Sequence, residues 1–322
     1  MIRPMPDGRI TTIGEIVVEI MADTQGYGFR QPMALHGPYP SGAPAIFIDQ
    51  VARLGHNCAL ISAVGNDDFG RLNTARLQND GVDISAVHVI PDLATGSAFV
   101  RYRPDGERDF VYNIQGAACS RTALTRAAEA IIDDTAHFHV MGSSLFSFRL
   151  IDDVVKAVHR VKEAGGRISF DPNLRKEMLD IPEMRAAMDI MLQACDVFLP
   201  SGPELLMLTE AKTEDAAIEE LLALGISEIV IKRGAHGASV VTANSRHTCA
   251  PLSVCEIDPT GAGDCFGATY VTLRLEGEAP ETALRYANAS GARAVSARGP
   301  MEGVSTRAEL DACLSTAAEV WS

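Results

Sequence analysis

Residues 258–270 read DPTGAGDCFGATY. Gly261, Ala262 and Gly263 stand directly before Asp264, and Phe266, Ala268, Tyr270, Val271, Leu273 and Leu275 follow as an apolar helical run. Glycine inside a helix costs about 0.5–1 kcal/mol. At a helix N-terminus it brings an advantage: the first amides have no intrahelical partner, and without Cβ atoms an anion can reach the backbone. The helix dipole adds roughly half a positive charge there. The stretch therefore predicts an anion hole made by the amides of Gly261, Ala262 and Gly263, suited to charge developing on a transferred phosphoryl group. Asp264 is open to two readings. A first-turn aspartate is a common dipole partner. Beside an anion hole it is also what alcohol phosphorylation requires, a carboxylate that takes the hydroxyl proton as transfer proceeds, worth about 10²–10⁴ in rate.

Working outward, strand-like and helix-like segments alternate. ITTIGEIVVEI (10–20) reads as a strand, PAIFIDQVARLG (44–55) as a helix stopped by Gly55, CALISAVG (58–65) as a buried strand, and DDFGRLNTARLQNDG (67–81) as an amphipathic helix. HFHVMG (137–142), a helix through Val154–Lys162, RISFDP (167–172), DVFLP (196–200), helices across 203–224 and SEIVIKRG (227–234) continue the rhythm. Such alternation implies an α/β fold with a parallel sheet covered on both faces. ATGSAFVRYRPDGERDFVYNI (94–114) breaks it with two strands joined at Pro104–Asp105–Gly106. With strand 10–20 and the segment near 30–40 it predicts a small separate sheet, a natural lid that excludes water. The first nine residues are expected to be mobile.

Composition narrows the class. The 322 residues are 47% hydrophobic and 22% charged, as in a soluble globular protein. The net charge of −14 argues against nucleic-acid or membrane partners, which are held by excess Lys and Arg. Seven scattered cysteines without a CxxC pair point to reduced thiols and against a structural zinc site. No signal-peptide or transmembrane stretch stands out, so a cytoplasmic location is expected. There is no P-loop, no G-x-G-x-x-G, no HExxH and no GxSxG, and DFG at 68–70 lacks the other kinase motifs and reads as a helix start.

Several segments together carry more than any one. DPTGAGDCF (258–266), GEIVVEI (14–20), SGAPAIFIDQVARLG (41–55), VGNDDFG (64–70) with DGVD (80–83), DPNLR (171–175) and IKRGAHGA (231–238) resemble, in order and spacing, the signature segments of the PfkB/ribokinase family of carbohydrate kinases. The resemblance covers nearly the whole chain. It implies a ribokinase-like doubly wound sheet flanked by helices, one domain over 1–322, and a discontinuous β-sheet lid formed by about 14–40 and 94–114. It implies ATP as phosphoryl donor with Mg²⁺, and a small-molecule sugar as acceptor. Asp264 would be the base, with Gly261, Ala262 and Gly263 as the anion hole. Lys232, Gly234 and Gly237 would border the nucleotide, although Lys232 also reads as a strand-end surface lysine. Glu204 would organise Mg²⁺ through water, with Ser201 where the family has Asn. Asp258 and Thr260, with carbonyls near Val295–Gly299, match positions that bind a monovalent cation such as K⁺ in several members, and Asp258 also reads as a brace for the loop.

The substrate positions depart from the family. Glu19 replaces an aspartate and Ile46 an asparagine, while Gly42 and Ala43 keep a close backbone approach. In relatives acting on 2-keto-3-deoxygluconate an arginine on the second lid strand holds the carboxylate. The matching position is Asn113, which favours a neutral sugar, though Arg101, Arg103 and Arg175 can meet an acid. GEIVVEIMAD and SGAPAIF look most like bacterial kinases of ketohexoses such as tagatose or fructose. The resemblance thus points to a ketohexose kinase acting on a primary hydroxyl. The alternatives are a 2-keto-3-deoxygluconate kinase, a nucleoside kinase or a non-catalytic sugar sensor. A lid sheet can also carry a homodimer interface.

Overall fold

A computed structural model describes residues 4–174 and 182–320. Its strands are β1 (Arg9–Ile13), β2 (Val17–Ala22), β3 (Leu35–Ser41), β4 (Cys58–Gly65), β5 (Asp83–Ile90), β6 (Gly96–Tyr102), β7 (Arg108–Asn113), β8 (Thr135–Met141), β9 (Arg167–Asp171), β10 (Val197–Phe198), β11 (Glu228–Lys232), β12 (Ala238–Val241) and β13 (Arg246–Cys249). The helices are α1 (Ala43–Arg53), α2 (Asp68–Asp80), α3 (Arg126–Asp133), α4 (Phe148–Glu163), α5 (Pro182–Ala194), α6 (Gly202–Met207), α7 (Glu214–Ala223), α8 (Ala262–Glu276), α9 (Pro280–Val295) and α10 (Arg307–Val320). The DFG stretch starts α2, with Asp67 as its cap: Gly70 N donates to Asp67 Oδ1 at 2.8 Å.

Nine strands form one sheet in the order β13-β12-β11-β10-β9-β8-β1-β4-β5. It is parallel from β11 through β5, and β12 and β13 extend it antiparallel. Side chains alternate between its faces as strand geometry requires. Ile229 and Ile231 point into one core, with residues of α3 to α7, and Val230 points into the other, with residues of α1, α8 and α9. The chain enters at β1 and builds outward on both sides of it. Carboxyl ends of the parallel strands at such a switch point are where α/β sheets bind ligands.

The 10–20 stretch is not one strand. It divides at Gly14–Glu15–Ile16 into β1 of the large sheet and β2 of a second sheet ordered β3-β2-β6-β7. A Cβ at Gly14 would sit 2.2 Å from Ser144 Oγ, so the crossing is fitted tightly to the body of the protein. The small sheet is otherwise as the sequence predicts, with the hairpin turning between Tyr102 and Arg108. Of the first nine residues, the described ones are held in place: Met5 N donates to Leu275 O at 2.8 Å, and Arg9 opens β1. All seven cysteines are free. Among the described residues, no helix is long and apolar enough to cross a membrane.

Helix α8 is buried from Asp264 to Leu275. Its far half is tied to the sheet by a buried ionic group. Tyr270 Oη donates to Glu228 Oε2 at 2.6 Å, and Arg274 Nη2 donates to Glu228 Oε1 at 2.6 Å. Removing one partner of such a group strands the other charge, at about 3–5 kcal/mol. Glu228→Ala is therefore expected to lower unfolding stability by about that amount, read as a fall in the urea midpoint.

Candidate active site

The turn that starts α8 is shaped by its surroundings. Gly261 has φ 81°, and a Cβ there would lie 2.4 Å from Pro300 O and 3.2 Å from Ile46 Cγ2. Only glycine takes this conformation in this space. Ile46 is thus a packing residue beneath the turn. Among the described residues, the Gly261 and Gly263 amides donate to no backbone carbonyl, and Ala262 N reaches Pro259 O only at 3.4 Å. The turn presents open amides and a helix dipole to one point in space.

Around that point stand Asp171, Glu204, Asp264 and Lys232, brought from two strand ends and two helix starts. Asp171 closes β9 and ion-pairs with Lys232, which closes β11. Lys232 Nζ lies 3.7 Å from where a Gly263 Cβ would be, so the ammonium and the open amides face the same space. Lys232 is not a surface residue; its side chain is 16% exposed. Burial alone would lower its pKa, but Asp171, Glu204 and Asp264 outweigh that and the net shift is upward. Burial lifts Asp171 to about 6, against the pull of Lys232. Burial and the Asp171 charge push Asp264 up to about 8, against Lys232 and Arg108, with Glu15 adding to the rise. Glu15 is itself buried and accepts from Ser143 Oγ at 3.0 Å and Ser144 Oγ at 2.6 Å.

Glu204 is the N3 residue of α6 and reaches back to its cap: Ser201 N donates to Glu204 Oε2 at 2.6 Å. Leu174 N donates to Oε1 at 2.6 Å. The glutamate thus ties the loop after β9 to the loop after β10. No group of three His, Cys, Asp or Glu side chains among the described residues forms a metal cage. Two neighbouring carboxylates, Asp171 and Glu204, suit an ion that keeps most of its waters and leans on phosphate oxygens, as Mg²⁺ does.

The small sheet stands on the other side. Glu19 on β2 is buried, and it accepts from Ser41 Oγ and Thr260 Oγ1, both at 3.4 Å. Burial and the nearby Asp258 raise its pKa to about 7, opposed by Arg108. Arg108, at the start of β7, sits over the Phe110 ring at 5.4 Å and 3.5 Å from Thr260 Oγ1. Its charge acts on both Glu19 and Asp264.

Other residues singled out by sequence lie elsewhere or do other work. Gly42 caps α1 with φ 113°, and the backbone that approaches it is Glu15 O, 2.4 Å from its would-be Cβ; Ala43 follows as the first helical residue. The Arg101 guanidinium is spent on carbonyls of the 24–28 loop, including Gly28 O at 2.8 Å. Arg103 pairs with Asp109. Neither is free for an acidic substrate. Asn113 ends β7 and is exposed. Arg175 lies outside the described residues. Gly234 turns in open space, while Gly237 packs its backbone on Cys249 O. Next to that contact a pocket of about 300 Å³ is lined by Cys249, Leu252, Leu284 and Asn288 among others. Three residues are functional candidates the sequence reading passed over. Asp171 lay in a quoted motif, and Arg108 and Tyr102 lay in the quoted hairpin with nothing in their spacing to mark them.

The chain matches the pfkB family carbohydrate kinase profile over residues 8–307. It belongs to this family. It is 30% identical to the 2-dehydro-3-deoxygluconokinase of Thermoproteus tenax, over 95% of this chain and 94% of that protein. A solved structure of a putative ribokinase II from E. coli, in complex with ATP and Mg²⁺, superposes with a TM-score of 0.92 at 52% identity, covering 96% of this chain and 99% of that one. A fructokinase from Vibrio cholerae O395, bound to fructose, ADP and calcium, superposes with a TM-score of 0.81 at 29% identity, covering 96% and 99%. The protein is a PfkB-type sugar kinase, a phosphotransferase acting on a sugar hydroxyl, with the ribokinase fold and its small second sheet.

The raised Asp264 pKa has two consequences. If Asp264 is the base the sequence expects, it works only when ionised, so with both substrates far below saturation the rate should rise about tenfold per pH unit and level off near pH 8. Between its unfolded pKa near 4 and its folded value near 8, Asp264 takes up a proton on folding, so its contribution to stability is lost as pH rises through that window. Asp264→Asn is expected to melt at a higher temperature than the parent, by a margin larger at pH 8 than at pH 5; differential scanning fluorimetry at both pH values tests this.

Proposed function

We propose that this kinase transfers the γ-phosphoryl group of ATP to a primary hydroxyl of a neutral ketohexose. The observation that carries the reading is Asp264, buried beside the open amides of Gly261, Ala262 and Gly263 with Lys232 facing the same point. The amides and Lys232 hold the charge that develops on the phosphoryl oxygens. Asp264 accepts the proton of the acceptor hydroxyl, and a pKa near 8 suits it to finish that transfer better than an ordinary aspartate would. Asp171 and Glu204 would hold Mg²⁺ through water, and the ion would supply neutralisation of phosphate charge. The pocket beside Asn288 takes the purine. It lies along α9 from Gly291, whose Cβ position is 3.4 Å from Ala262 O, and the three-residue step from Asn288 to Gly291 spans about 4.5 Å.

A neutral sugar is supported by the lid side of the cleft. Glu19 and Asp258 stand there as buried acids, and a substrate carboxylate would meet their field. Glu19 binds sugar hydroxyls instead, with Ser41 and Thr260 fixing its orientation. One observation favours a second reading. Arg108 makes no ion pair among the described residues, and a 2-keto-3-deoxy acid would give it one.

An ADP-release assay with ATP and Mg²⁺ over tagatose, fructose, ribose, 2-keto-3-deoxygluconate, inositol and adenosine separates these readings. Turnover on one ketohexose, reduced at least about a hundredfold in Asp264→Asn, is the expected result. If the keto-deoxy acid alone is turned over, Arg108→Gln should raise its KM at least about tenfold, the loss of one charged contact. Protection of 94–114 from proteolysis at saturating sugar is expected if the small sheet closes over substrate; unchanged cleavage would remove the lid role.

A further inference from the structure

The corner where the lid meets the anion-hole loop is fastened by one carboxylate. Asp258 is 1% exposed. Its Oδ1 accepts Tyr102 Oη at 2.5 Å and Thr260 N at 3.0 Å, and its Oδ2 accepts Gly299 N at 2.9 Å. Three separate segments meet there: the end of lid strand β6, the loop that leads into α8, and the segment that follows α9. The last of these supports the anion hole directly. Val295 O accepts Ile257 N at 2.7 Å and Asp258 N at 3.1 Å, and Pro300 O is the wall against which Gly261 turns.

The family resemblance places a monovalent cation at this corner. The Val295 carbonyl and the Asp258 and Thr260 side chains are already engaged. A carbonyl oxygen has two lone pairs, and both of Val295's are engaged. Asp258 Oδ1 already takes two donors, Tyr102 Oη and Thr260 N, and Oδ2 takes Gly299 N, so three of its four lone pairs are occupied. Thr260 Oγ1 has Tyr102 Oη at 3.2 Å and the Arg108 guanidinium at 3.5 Å. A cation entering here would displace hydrogen bonds in a buried site and face a guanidinium already in place.

We propose that Tyr102 is a positioning residue that takes the place of the monovalent cation: its hydroxyl, brought by the lid, docks on Asp258 and sets the 258–263 loop. Lid docking and the alignment of the anion hole are then one event. The kinetic part of this inference rests on the kinase reading; the structural part does not.

The test has one arm without any variant. The wild-type kinase is assayed with its sugar in potassium, sodium and tetramethylammonium buffers of equal ionic strength. Less than threefold variation is expected, and stimulation of threefold or more by K⁺ overturns the proposal. In Tyr102→Phe, which keeps the ring and loses the hydroxyl, kcat should fall at least fivefold while KM for ATP stays within threefold, because the anion hole acts in the transition state. A smaller fall in kcat, or a loss confined to KM, overturns the positioning role. Hydrogen exchange gives a readout free of activity. Peptides covering 257–263 and 295–304 should exchange faster in Tyr102→Phe than in wild type, while those of β8 and β9 stay unchanged; equal exchange at the corner overturns the proposal. If the wild type turns over no sugar, the kinase reading fails and the exchange comparison still decides the role of Tyr102.

Discussion

A helix that begins inside a protein leaves its first amides without partners, and here the rest of the structure is arranged around that shortage. α8 is buried from Asp264 to Leu275, and its first turn, at Ala262 and Gly263, opens outward. Gly261 is forced into its turn by Pro300 O, and Ile46 fills the space beneath. The Glu228–Tyr270–Arg274 group fixes the other half of the helix against β11. An anion held at the open end completes what folding leaves unsatisfied there.

The same turn explains the charge cluster beside it. Burial raises the pKa of both Asp264 and Asp171, with Asp171 adding to the rise of Asp264, and a single ammonium, Lys232, opposes both shifts. Such an arrangement costs stability and is retained where chemistry needs it. Cys265, one residue beyond Asp264, meets the same low-dielectric surroundings. Burial and the neighbouring carboxyls push its pKa upward, so it stays a neutral, unreactive thiol despite its position.

Much of this was legible in the sequence because it is carried by local patterns. Alternating strands and helices, the Pro104–Asp105–Gly106 hairpin and the glycine-flanked Asp264 each announce themselves within a few residues. What escaped is what depends on distance in the fold. The 10–20 stretch looks continuous because both of its halves are β-branched and apolar; only packing of Gly14 against Ser144 shows that it serves two sheets. Asp171 and Lys232 are 61 residues apart and meet because β9 and β11 end on the same edge. Arg101 and Arg108 are indistinguishable by composition, yet one clasps the 24–28 loop and the other reaches Thr260 at the cleft. Glu204 was legible as an acid in a motif, but its capping of Ser201 follows from the helix that starts there.

The two sheets divide the work. Lys232, Asp171 and Asp264 belong to the large sheet and the helix packed on it, whereas Glu19, Ser41, Tyr102 and Arg108 belong to the small one. Hydrogen bonds from the second set reach the loop before α8 at Thr260 and Asp258. On the proposed reading, acceptor preference would drift through positions of the small sheet that leave Tyr102 and its dock on Asp258 in place. The fold would then offer evolution an engine with an exchangeable mouth hinged on one tyrosine, and a designer seeking a new acceptor would begin with the inward positions of β2, β3, β6 and β7 other than Tyr102.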